Sequence, residues 1–341
     1  MSEGGQRRMA FAVLGIALPA AVVLASAAGT IWLPIGELLS SVAAAAGLGA
    51  TSPLNAAGET ILWTVRLPRV LLAAAIGGGL AVVGATLQAV FRNPMADAGL
   101  LGVGSGAAMG AVLAVRLGWA TDLFLALPLS AFAGAMAAAL AVYVLAHAGG
   151  RGSVHSLLLT GLAVSSLAAA GTSVLLVATE EFRVKTVLFW LAGGLEGRGW
   201  THLQVGGALV LAGVVLLGML ARPLDLLSLG EEEAGALGLP VHATRLGLLA
   251  LAALVAGAAT SVAGSVPFVG LMAPHALRRL VGPLSRHLLP ASFLAGALLV
   301  VLADLASRTL SPSMDLPLGS LTSFMGAPYF LFAIRASEAR A

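Results

Sequence analysis

Cysteine is absent from the 341 residues, lysine occurs once (Lys185), tyrosine twice, and charged residues make up only 10% of the chain. Each shortage excludes something. Without cysteine there is neither a disulfide framework nor a thiolate metal site. A charge content so far below the roughly 25% of a soluble domain fits neither an ordinary globular enzyme nor a disordered chain. What is there is apolar: 59% hydrophobic residues, with 43 glycines. At about 20 apolar residues per span this is enough for roughly ten crossings. The composition indicates an all-α polytopic membrane protein, a single transmembrane domain over 1–341.

The net charge of +3 does not indicate nucleic acid, because the arginines stand in short clusters between apolar stretches, where positive charge reports topology. Arg7 and Arg8 precede an apolar run from Ala10 to Ala28. That run exceeds the 7–15 residues of a signal-peptide core, so it reads as an uncleaved first helix. Ten spans are expected near 10–29, 66–91, 98–116, 123–146, 156–178, 200–220, 245–263, 266–281, 288–307 and 317–334, the eighth short and broken by Pro267 and Pro274. An interfacial helix is expected around Ile35–Leu48, and 180–199 is mixed. With the amino terminus inside, eleven of the eighteen basic residues fall on inner loops, which favours both termini in the cytoplasm. Arg66, Arg69 and Arg308 are among the exceptions on the outer side.

Several apparent motifs carry no chemistry here. Gly102–Ala107 (GVGSGA) fits a dinucleotide pattern, yet no strand precedes it. The six histidines form neither an H-E-x-x-H motif nor an i, i+4 pair, and no phosphate-binding loop exists. The chain is therefore read as non-catalytic. An ion-coupled secondary transporter needs ionisable groups near the bilayer midplane, whereas these charges sit at helix ends or in loops. Asp304 lies four residues before Arg308 and reads as a local pair near the outer surface. Energy for transport must come from another chain.

The loop over 221–244 is the candidate entry point for that energy. Ser228 and Glu231 have the spacing of a capping box, Glu231, Glu232 and Glu233 fill a first helical turn, and Gly238 with Pro240 supplies a stop. The pattern predicts a short acidic helix, either a solvated connector or a docking helix for a cytosolic motor. The many glycines, including Gly77-Gly78-Gly79 and Gly84, read first as small faces for helix packing.

At this point four ordered blocks resemble one family. Arg66–Gly110 (RLPRVLLAAAIGGGLAVVGATLQAVFRNPMADAGLLGVGSGAAMG) is similar to the signature region of the FecCD-type, BtuC-like permeases of iron-chelate and vitamin B12 ABC importers. GEEEAGALGLPV, from Gly230, resembles their coupling-helix segment. The stretches from Gly264 to Arg308 and from Leu316 to Ile334 resemble their last three spans. The resemblance covers roughly 60–335.

The resemblance implies a homodimer in the bacterial inner membrane, with two cytosolic ATPase subunits that hold the ATP and magnesium, and an external substrate-binding protein. This chain itself binds no cofactor. ATP-driven closure of the ATPase pair would pull the coupling helices and switch access between the two faces. Carried over by motif, Ser228, Leu229, Gly230, Glu231, Glu232, Glu233, Ala234, Leu237 and Gly238 contact the ATPase. Arg66, Arg69 and Arg308 dock the binding protein, although side chains snorkelling at a helix end would look the same in sequence. Ser153, His155 and Ser156 would form an inner gate, and Gly161, Ser165, Ser166, Gly171 and Thr172 would line the pathway unless they serve plain packing. No metal ligands are expected, because the metal travels inside its chelator. The implied cargo is an iron chelate, a ferric siderophore first, with haem or cobalamin as alternatives.

Overall fold

The computed structural model describes residues 3–48, 51–119, 125–148, 154–311 and 314–338, and among these all regular structure is helical. Inner denotes the membrane face at the start of α1, and outer the opposite face. Seven helices are long and apolar enough to cross a membrane. They are α1 (Glu3–Ala27), α3 (Ala56–Val90), α5 (Ala126–His147), α6 (Val154–Val177), α8 (Trp200–Met219), α11 (Val241–Ala263) and α13 (Ser285–Thr309). The expected third, eighth and tenth spans appear as α4 (Val103–Arg116), α12 (Val269–Val281) and α14 (Leu318–Glu338). On the outer face lie α2 (Ile35–Ala45), at the place expected for an interfacial helix, and α7 (Glu181–Ala192), within the mixed stretch. On the inner face lie α9 (Ala221–Leu229) and α10 (Glu231–Ala236).

The helix α3 is the axis of the bundle. It begins ten residues earlier than its apolar run indicates, because Ala56–Thr60 and a π-helical turn over Ile61–Arg66 continue into it without a break. It packs against α13, α12, α11 and α8. No hydrophobic force joins helices in lipid, so contact depends on how closely backbones approach. A Cβ on Gly77 would strike the Gly296 carbonyl, and one on Gly296 would strike the Gly77 carbonyl in return. Gly84 stands in the same relation to the Gly270 carbonyl. These glycines seat α13 and α12 directly on α3.

The eighth span is short, as Pro267 and Pro274 indicate. The chain enters α12 through Phe268 in the left-handed region (φ 67°), with Pro274 inside the helix. The Phe268 ring fills the space that Gly326 of α14 leaves open. Gly102, in the GVGSGA segment, begins α4 with φ 70°. Just before it, Asp97 caps the turn Ala98–Leu101 by accepting the Gly99 N–H at 2.9 Å. Burial pushes the Asp97 carboxyl up, against the pull of that N–H.

Candidate functional site: an outer charge clasp and an inner helical elbow

The charges gather at the two ends of the bundle. At the outer end α3 delivers Arg66 and Arg69 three residues apart, and α13 delivers Asp304 and Arg308 four residues apart. Arg69 Nε donates to Asp304 at 2.8 Å and its Nη1 reaches Asp315, just before α14, at 2.7 Å. Arg308 Nε donates to the other Asp304 oxygen at 3.0 Å. The rest of the Arg308 fork donates to the carbonyls of Ala28 (3.0 Å) and Ala25 (2.8 Å) at the end of α1. Arg66 donates to the carbonyls of Ser26, Ala27 and Ile31.

In the single chain Arg66 and Arg69, expected at a docking rim, are buried, and Arg308 is half-buried. Arg66 is 5% and Arg69 8% exposed, and their donors are spent on the protein itself. Fixed guanidinium forks satisfy the carbonyls that α1 leaves open at its end and tie α1, α3, α13 and the approach to α14 together. Asp304, 1% exposed, serves Arg69 as well as Arg308. Nothing in the spacing connects position 69 with Asp304 or Asp315, so only the fold reveals the clasp.

Beside the clasp an outer cavity of about 410 Å³ opens between α7, the 193–199 turn and the approach to α14. Arg69, Asp315, Glu196 and Arg198 supply its charge, and Trp190 and Pro317 part of its apolar wall. Burial lowers the Arg198 guanidinium. The chain crosses itself closely here. Gly193 and Gly319 each abut the Ser265 carbonyl, and Leu318 N–H donates to Gly193 at 2.9 Å.

At the inner end α9 and α10 meet at an angle at Gly230 (φ 139°). The expected capping box does not form. Ser228 donates back to the Asp225 carbonyl at 2.6 Å inside α9, and Gly230 is the N-cap of α10. The acids of the first turn are present as read: Glu231, Glu232 and Glu233 are all exposed. Ala234 is buried, whereas Leu229 and Leu237 are 58% and 62% exposed. Glu231 pairs with Arg245 of α11, and Asp225 accepts the Ser285 N–H at the start of α13 at 2.7 Å. The elbow is thus attached to two spans while presenting leucines and acids outward.

The expected gate and pathway residues divide. Ser153 lies outside the described residues. His155 is exposed, and Ser156 donates to the Ala146 carbonyl at 2.9 Å, joining the ends of α5 and α6. Gly161 abuts the Leu100 carbonyl, Gly171 faces Met109, and Thr172 is buried, donating to Ala168 at 2.8 Å. These three make packing contacts within the chain. Ser165 is half-buried, and Ser166 is exposed on the opposite face. An unforeseen cluster lies nearby. Tyr143 and His147 of α5 lie tilted against each other at 4.3 Å, and His147 meets His242 of α11 edge-on at 5.5 Å. Each histidine is unremarkable alone in sequence, and only the crossing of α5 with α11 joins them. His275 stands edge-on to Tyr329 at 6.2 Å.

Comparison with known proteins bears on the family and the fold. The chain is 42% identical over 283 residues to the cobalamin import permease of Halobacterium salinarum, covering 83% of this chain and 75% of that one. It is 40% identical over 277 residues to the hemin transport permease of Yersinia pestis, covering 80% and 83%. Among solved structures, a metal-chelate type ABC transporter in an inward-facing conformation superposes with a TM-score of 0.85 at 29% identity, over 96% of this chain and 99% of the other. The model of the FecCD transport family matches residues 17–336, so the chain belongs to that family and is a permease of the ABC-transporter class.

Proposed function

We propose that this chain, paired with a second copy, forms the membrane pathway of an importer that carries a ferric siderophore inward, driven by two cytosolic ATPase subunits and fed by an external binding protein. Both termini then lie in the cytoplasm. The observation that carries the reading is the elbow at Gly230. An exposed leucine on each side of an acidic turn, fixed to α11 and α13 through Glu231–Arg245 and Asp225–Ser285, is a surface through which a motor can pull on two spans. The faces of α6 and α14 left uncovered, with Ser166, Ala170 and Ser173 on one and Phe324 and Phe332 on the other, supply the contact with the second copy. Small, weakly polar walls suit a bulky chelate that must pass without being held.

The binding protein docks around α7 and the 193–199 turn, where Glu180, Glu181, Lys185 and Glu196 are exposed. The buried arginines keep that face in shape. For the cargo, the structural neighbour described as metal-chelate type matches almost the full length of this chain, which favours a chelated iron. Haem and cobalamin are the second reading, because relatives at 40–42% identity are named for them. Uptake of labelled ferric siderophore, haem and cobalamin by the reconstituted complex tests the proposal. Vanadate-sensitive uptake of the siderophore is expected. Uptake insensitive to vanadate would point to ion coupling, and failure with all three cargoes would remove the assignment.

A further inference from the structure

Between α8 and α13 the outside of the bundle is not filled. A groove of about 720 Å³ runs there, floored by Val82 of α3 and walled by Leu211 and Val215 on one side and Leu289 and Phe293 on the other. Gly218 keeps it open, since nothing stands within 4 Å of a Cβ placed on that residue. The lining runs from Leu211 to Ala221 along one wall and from Ser285 to Leu294 along the other. At 1.5 Å per residue each wall is about 15 Å long, half of the roughly 30 Å hydrocarbon core. The groove therefore spans one leaflet, the inner one.

Its two ends differ in charge. Toward the bilayer centre the lining is wholly apolar. At the inner mouth Arg286 lines the groove, and Arg222 follows Ala221 at the start of α9. Both arginines are exposed and neither makes an ion pair or hydrogen bond among the described residues. The contact between Asp225 and the Ser285 N–H holds α9 against the start of α13. It brings the start of α9, which carries Arg222, beside the start of α13, which carries Arg286. A peptide would find no backbone partners along such a wall. The pattern of greasy slot and cationic mouth matches a lipid whose headgroup is negative.

We propose that the groove between α8 and α13 is a binding site for an anionic phospholipid of the inner leaflet, one acyl chain lying in the slot and the phosphate against Arg286 and Arg222. The test uses the full-length protein in nanodiscs of phosphatidylglycerol and phosphatidylcholine with matched acyl chains. Lipids retained after detergent extraction are counted by native mass spectrometry. Phosphatidylglycerol is expected to be retained over phosphatidylcholine, and Arg286→Gln to reduce its retention about fivefold with phosphatidylcholine unchanged. Gly218→Leu, which fills the slot, is expected to reduce retention of both lipids while the mouth stays charged. Equal retention of the two lipids by the unaltered protein would overturn the proposal. So would retention undiminished in both variants, or loss of the protein dimer in Gly218→Leu with lipid retention intact, which would make the groove a contact between copies.

Discussion

The helices α3 and α6 are made of similar material, alanine, valine, leucine and repeated glycine, yet 83% of the most apolar stretch of α3 is buried against 17% for α6. The glycines of α3 find partners on every side within the chain, Gly296 on α13 and Gly270 on α12. In α6 only one face does so, with Gly161 and Gly171 against the turn at Leu100 and Met109. Ser166, Ala169, Ala170 and Ser173 are left uncovered. Small residues in a membrane helix mark close approach, but they do not say whether the approaching helix belongs to the same chain. A small-residue face buried within the protomer is scaffold, whereas one left open calls for a partner from outside.

That contrast can be broken experimentally. The largest effect is expected for Gly84→Leu, where a side chain must displace the α12 backbone at Gly270. Overpacking costs 1–3 kcal/mol even where side chains give way, and here a backbone would have to move. Size-exclusion profiles in detergent should show no monodisperse protein. Next is the outer clasp. Asp304→Asn leaves Arg69 and Arg308 without their shared carboxylate, and breaking a buried pair costs about 3–5 kcal/mol. A large fall in Tm is expected, and Arg66→Glu with Arg69→Glu should likewise impair assembly itself. An unchanged Tm in those variants would return these residues to a docking role.

On the open face, Ala170→Trp should leave the Tm of the protomer nearly unchanged while dissociating the dimer, read by chemical cross-linking. Smaller still is Gly230→Ala. A side chain at φ 139°, ψ 160° costs about 1–3 kcal/mol and must push the Glu233 carboxylate aside, and the altered elbow should weaken stimulated ATP hydrolysis more than it lowers Tm. Least of all is Glu231→Gln. Glu231 is half exposed but Arg245 is buried, so a loss of about 1 kcal/mol is expected, together with weaker affinity for the ATPase in a pull-down titration.

Much of the scaffold was legible in advance because each feature depends on neighbours in sequence. Apolar runs of span length, the Pro267 and Pro274 break, the interfacial helix at Ile35 and the acids after Gly230 all belong to this class. The start of α3 is not marked in the sequence, because Ala56–Thr60 is polar enough to look like loop. Its helix is held by the Asn55 cap on the Gly58 N–H at 2.8 Å and by continuity with the π turn. The capping box at Ser228 failed for a related reason. Ser228 is already the last turn of α9, so its hydroxyl is drawn to the Asp225 carbonyl, and Gly230 takes the bend.

By itself the sequence determined that this chain lives in a membrane, with its charges at the ends of spans and its helices meeting through small residues. Those properties follow from transfer of apolar surface out of water and from backbone hydrogen bonds that close within each helix. Only the tertiary structure decided what each charge and each small face is for. Arg69 became a clasp because α3, α13 and the approach to α14 converge on it across more than two hundred positions of chain. The groove at Gly218 likewise exists only because α8 and α13 leave a space over Val82 of α3. Contacts of that range are set by packing, and no local pattern of residues encodes them.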